Sequence, residues 1–240
     1  MMRVLACLAF AAFLSAPAWA EIKCSEDLPE VDSGAESRMS AQDFAREVLA
    51  KEGDFAKALA NFSYRTEALV ETLDGDTVDG EFRQVSTIVF DASGPKREVA
   101  DGAVNTLKRI KFADRDLDAL LDAFTLTPAR VATGDIVYSG RQRTGQFNAS
   151  LFDIVPRDAS ADVRGFQGRV WVRAREDSIM RLCGRTASAP IAPMRFLVVR
   201  ELVAEQYWFP VLIRADEDAR IGKETVHVRL TVKYSDYKAR

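Results

Sequence analysis

The chain has 240 residues, 48% hydrophobic and 29% charged, with a net charge of −3. That balance supports a sizeable core and excludes a disordered chain, and no Lys/Arg-rich run points to a nucleic-acid partner. One β-rich domain accounts for the length, since such domains run to about 200–250 residues.

Residues 1–20 have the layout of a secretory signal peptide. Arg3 supplies the positive end, Val4 to Leu14 the apolar segment, and Ala18-Trp19-Ala20 the small-residue cleavage site before Glu21. A spanning helix would need about twenty apolar residues, more than this segment holds. Val4-Leu5-Ala6-Cys7 spells a lipobox, but Cys7 stands near the start of the apolar segment, not after it. The expected product is therefore unlipidated, exported and periplasmic. It keeps two cysteines, Cys24 and Cys183. An oxidising compartment permits a disulfide between them. Such a bridge, closing most of the chain into one loop, is worth about 5 kcal/mol in the chain-entropy model. The other possibility is one buried thiol and one in a loose tail.

Residues 21–39 are polar, with Pro29 and Gly34, and read as a tether; residues 40–240 read as a single domain. Ser40 opens a helix and Asp43 follows at capping-box spacing. Phe44, Val48, Phe55 and Leu59 share its apolar face, and Gly53 is the expected break. From Phe62 the period changes to two, as Phe62, Tyr64, Thr66, Ala68 and Val70 alternate with polar residues. Asp74-Gly75-Asp76 turns the chain into a strand from Glu81 to Asp91. Ser93-Gly94-Pro95 turns it again into a third strand expected over Arg97–Lys111, with a break near Asp101-Gly102. Asp114 is the expected cap of a second helix with Leu117, Leu120, Leu121 and Phe124 on one face, stopped by Thr127-Pro128. Further strands are expected at 135–140, 146–155, 166–174, 178–185, 195–204, 206–214 and 224–234, with a turn at Asp216–Asp218. Two helices among about ten sequential strands imply an antiparallel sheet that must curl or close.

Signals for chemistry are sparse. The one histidine, His227, sits mid-strand among polar neighbours and reads as a solvated side chain. Two cysteines and one histidine far apart make no zinc pattern. Asp74, Asp76 and Asp79 lack the spacing and closing Glu of a calcium loop, and read as a hairpin turn. No helix follows Gly165 and Gly168 to make a phosphate loop, and there is no G-x-S-x-G elbow. No catalytic residue, metal or cofactor is expected. The aromatic stretches around Trp171 and Tyr207-Trp208-Phe209 read as core or as the wall of an apolar cavity.

Several stretches, taken in order, resemble an exported bacterial family described as outer-membrane lipoprotein-sorting-protein-like. They are Asn61–Arg65, Gly80–Asp91 (GEFRQVSTIVFD), Phe166–Val172 (FQGRVWV), Tyr207–Pro210 (YWFP), Arg214–Asp216 and Val232–Lys238 (VKYSDYK). That family is similar to the periplasmic carriers LolA and LolB. The resemblance implies a curled, incompletely closed antiparallel β-barrel with helices on its concave side, an α+β fold that is mainly β. It carries no motif diagnostic of chemistry, and no LolA functional residue maps onto this chain.

Parity completes the expectation. Ile88 and Phe90, Phe147 and Leu151, Val170 and Val172, Phe196 and Val198, and Phe209 and Val211 should line the concave side. The helix stripes, with Phe44, Val48, Phe55 and Leu59 on one and Leu117, Leu121 and Phe124 on the other, should cover it. The function this implies is a soluble periplasmic carrier or binding protein for lipoproteins or other lipids, holding acyl chains without catalysis. Its partners would be those chains and a membrane-bound protein. The competing reading is a protein-interaction or sensor domain of the same fold with no lipid ligand.

Overall fold

The computed structural model describes Cys24, residues 28–37, 39–100, 102–157, 165–173, 175–191 and 194–240. The signal peptide expected over residues 1–20 lies outside the described residues. All named strands join one antiparallel sheet. They are β1 (Phe62–Asp74), β2 (Thr77–Asp91), β3 (Gly94–Val99), β4 (Val104–Asn105), β5 (Gly134–Thr144), β6 (Phe147–Pro156), β7 (Gln167–Arg173), β8 (Ser178–Arg185), β9 (Phe196–Val203), β10 (Tyr207–Ile221) and β11 (Glu224–Ala239). The order is β3-β2-β1-β11-β10-β9-β8-β7-β6-β5, with β4 also on β2. β3 and β5 end the sheet without pairing to each other, so the barrel is not closed.

The helices are α1 (Ala41–Asp43), continued by a π-helical turn (Phe44–Val48) into α2 (Leu49–Leu59), then α3 (Asp114–Ala123) and α4 (Pro128–Val131). Ser40 and Asp43 form the capping box that the spacing predicts. The irregularity falls at Phe44–Val48, whereas Gly53 sits inside α2 with open space around it. Helix side chains reach strands far apart in the sheet. Phe44 meets Phe152 of β6 at 4.9 Å, Phe124 meets Phe196 of β9 at 5.2 Å and Phe55 meets Phe209 of β10 at 5.7 Å between ring centroids. A sheet whose β2, β6, β9 and β10 all feed one helix-covered core has to curl around it.

A second apolar cluster lies on the outer face, built from Ala149, Leu151, Trp171, Met180, Cys183, Leu197 and Trp208. The N-terminal segment straps it. Cys24 is bonded to Cys183, with Cα atoms 5.9 Å apart, and Leu28 and Val31 pack alongside. Gln142 Nε2 donates to the Pro29 carbonyl while its Oε1 accepts from Trp171 Nε1, both at 2.6 Å. Asp32 exchanges backbone hydrogen bonds with Arg141, and the Tyr138 hydroxyl donates to the Ala35 carbonyl. The strap therefore rounds the β5 edge and delivers the chain to α1 on the concave face. Gly140 makes that passage possible, since a Cβ there would lie 2.5 Å from the Asp32 carbonyl oxygen.

Four sequence expectations are corrected. Ala113, not Asp114, stands at the cap of α3, with its N–H donating to Asp116 and Asp114 taking the first helical position. The strand expected through Lys111 ends as β3 and the two-residue β4, and residues 106–113 run irregularly to α3. Thr127-Pro128 starts α4 instead of merely ending α3, because Thr127 caps the Arg130 N–H and Pro128 takes the first turn. Asp216–Asp218 is no turn: β10 continues to Ile221, and Asp216 and Asp218 stand opposite Arg229 and His227 of β11.

Candidate functional site

The concave face is apolar and packed. Phe44, Phe55, Leu59, Ile88, Val170, Val172, Phe196, Val198 and Phe209 are buried in the helix-covered core, and Phe90 and Leu121 pack against it half-buried. Phe147 and Leu151 are corrections. Both belong to the outer cluster beneath the strap, because in β6 the even positions Phe152 and Ile154 face the helices. Apolar residues occupy both parities there, so alternation could not choose. Val211 is in neither cluster. It sits where the β9–β10 register slips between Pro210 and Leu212.

At the end of the sheet carrying the β7–β8 and β9–β10 hairpins, α2 leaves a cleft of about 280 Å³. Phe55, Ile179, Tyr207 and Trp208 supply its apolar wall, and Lys51, Asp54, Ser178 and Gln206 its polar rim. Lys51 reaches across to the Glu176 carbonyl of the β7–β8 turn. The β9–β10 turn places Ala204 and Glu205 at φ 51° and 58°. Side chains rarely occupy that region, so the turn beside the cleft is locally strained.

Inside the cleft lies a charged pair that sequence reading missed. Glu52 of α2 and Arg200 of β9 are joined at 2.6 and 2.9 Å, with side chains only 4% and 3% exposed. Glu52 also accepts from the Leu126 N–H, and Arg200 donates to the Phe124 carbonyl. The guanidinium carbon sits 4.6 Å from the Phe55 ring centroid. One pair thus ties α2, β9 and the residues after α3 together. The signal was present: Glu52 interrupts the stripe between Val48 and Phe55, and Arg200 continues the inward parity of Phe196 and Val198.

At the β2 side, a second polar group closes the core. Arg97 donates to Ser86 Oγ at 2.8 Å and Thr66 Oγ1 at 3.3 Å and pairs with Asp118 of α3. Burial pushes the nearby Tyr64 and Tyr234 hydroxyls well above their ordinary range. His227 lies on the outside of the sheet between Asp218 and Asp216, each at 2.8 Å, and those hydrogen bonds raise its pKa. It is a surface residue, as expected, but a paired one. No group of three or more potential metal ligands occurs among the described residues.

No protein-family profile and no curated protein matches the chain. Among solved structures, the chain is similar to a LolA-superfamily protein from Nitrosomonas europaea at 10% identity and a TM-score of 0.39, covering 82% of this chain and 93% of that one. It is similar to an outer membrane lipoprotein-sorting protein domain from Vibrio parahaemolyticus at 10% identity and 0.41, covering 84% and 94%. It is similar to the Pseudomonas aeruginosa MucA/MucB complex at 10% identity and 0.23, covering 77% and 94%. At these values the likenesses assign neither family nor role, and the open, helix-covered antiparallel barrel is defined by the strand order itself.

Proposed function

We propose that the protein is a soluble, exported binding protein that carries an acyl chain of a lipoprotein or other lipid beneath its helix cover, without catalysis. The observation that carries this reading is the cleft at the edge of α2, whose apolar wall continues through Phe55 into the aromatic core. Helix side chains occupy the core, Phe55 among them, so loading would have α2 lift and acyl methylenes replace Phe55 and its neighbours. Each buried methylene contributes about 0.8 kcal/mol, enough for a chain of about ten to compensate such a rearrangement. The signal-peptide pattern and the Cys24–Cys183 bridge support a periplasmic setting. No helix among the described residues is long and apolar enough to cross a membrane.

The packed interior also favours the second reading, a protein-interaction domain without lipid. Val99 on β3 and Val137 on β5 are exposed on the end strands of the sheet. Delipidated protein offered a radiolabelled long-chain lipid separates the two. Stoichiometric retention supports the carrier, and none supports the interaction domain.

A further inference from the structure

We infer, resting on the carrier reading above, that Arg200 is the headgroup site of the cleft and that Glu52 holds the place of the ligand's own carboxylate. The ligand class is a single-chain amphiphile with a planar carboxylate head, such as a long-chain fatty acid.

Three features of the pair support this. First, it is buried yet lines the cleft, so a molecule entering between α2 and the hairpins meets Arg200 before the deeper core. Second, its charge is not needed for packing. Two charges taken out of water rarely stabilise a core better than two apolar side chains of the same volume, so a buried pair beside a cleft calls for another role. Third, the geometry of a carboxylate ligand is already drawn. Glu52 presents both oxygens to the two terminal nitrogens of Arg200, the fork that a free carboxylate would take. The Phe55 face under the guanidinium marks where the first methylenes of the tail would lie.

The exchange also supplies the coupling that loading needs. Glu52 and Phe55 ride on α2, whereas Arg200 is fixed in β9. A ligand carboxylate that replaces Glu52 on Arg200 releases the tie that holds α2 down, and the tail fills the space Phe55 vacates. Glu52 then turns toward the rim, where Lys51 is its neighbour and Asp54 faces the same water.

The test compares oleate with oleyl alcohol, the same chain without the charge, on purified full-length protein by displacement of a fluorescent fatty-acid probe. The expected wild-type result is a preference for oleate on the order of tenfold. Glu52→Gln, which weakens both the internal competitor and the tie on α2, should tighten oleate by about as much and oleyl alcohol by clearly less. A single Arg200 change would strand a buried Glu52, so the loss variant is the double Glu52→Gln/Arg200→Met, which removes both charges and keeps the fold. It should bind both ligands equally. If wild type binds the two equally and Glu52→Gln changes neither, the headgroup assignment is overturned and the carrier stands. If wild type retains neither, the carrier reading and this assignment both fall.

Discussion

Cys24 and Cys183 form a disulfide between segments 159 residues apart in sequence, with their Cα atoms at 5.9 Å. The bond fixes the start of a strap that covers the outer cluster and ends at α1, so the outer face and the helix cover share one piece of chain. Removing it with Cys24→Ser should lower unfolding stability by about 2–5 kcal/mol, as for other long closed loops. Denaturant titration with and without a dithiol reductant checks this. Wild type should lose stability on reduction, and the variant should not respond.

The strap is held by polar groups as well as by the bond. Gln142 is buried, and its amide joins the Pro29 carbonyl to the Trp171 indole. Gln142→Leu would leave both partners unsatisfied, at about 1–3 kcal/mol each. Limited proteolysis should then cut the strap first, ahead of the sheet.

Phe55 and Leu151 separate ligand binding from plain stability. Both are buried, but Phe55 faces the cleft and Leu151 lies beneath the strap. Leu151→Ala should cost about 2–5 kcal/mol and leave lipid retention intact. Phe55→Ala should also destabilise, by about 3 kcal/mol, and should speed release of bound lipid. Equal release rates in the two variants would make Phe55 ordinary core.

His227 gives the pH dependence its sign. Hydrogen bonds to Asp218 and then Asp216 raise its pKa above the ordinary 6.5. The folded state thus binds the proton more tightly than the unfolded chain. This contribution is complete below the unfolded pKa and disappears as pH rises through the higher folded value. The side chain is 36% exposed, so solvent screens the effect and it should be small. Melting temperatures across pH 6 to 8 should decline less for His227→Gln than for wild type.

The strands and both helix faces were legible because they rest on local period. Phe62 to Val70 alternate, and they face the core as parity predicts. What could not be read was set by distant partners. In β6, Leu151 and Phe152 are both apolar because both faces of the sheet are covered, one by the strap and one by Phe44 of the π turn. The strap itself looks polar, since among its described residues Cys24, Leu28 and Val31 pack on the sheet's apolar outer cluster while Pro29, Asp32 and Ala35 are anchored through backbone groups. Asp216 and Asp218 imitate a turn, yet the real reversal follows at Gly222 with φ 63°. Glu52 and Arg200 were readable as charges on apolar faces, but not as partners, because 148 residues separate them.

Native mass spectrometry of the protein isolated from its own exported fraction shows whether the helix-covered barrel carries lipid. A population carrying one lipid per chain is expected, restored after delipidation by adding long-chain lipid and lost faster from Phe55→Ala. Protein that is ligand-free as isolated, and takes up no lipid after delipidation, would contradict it.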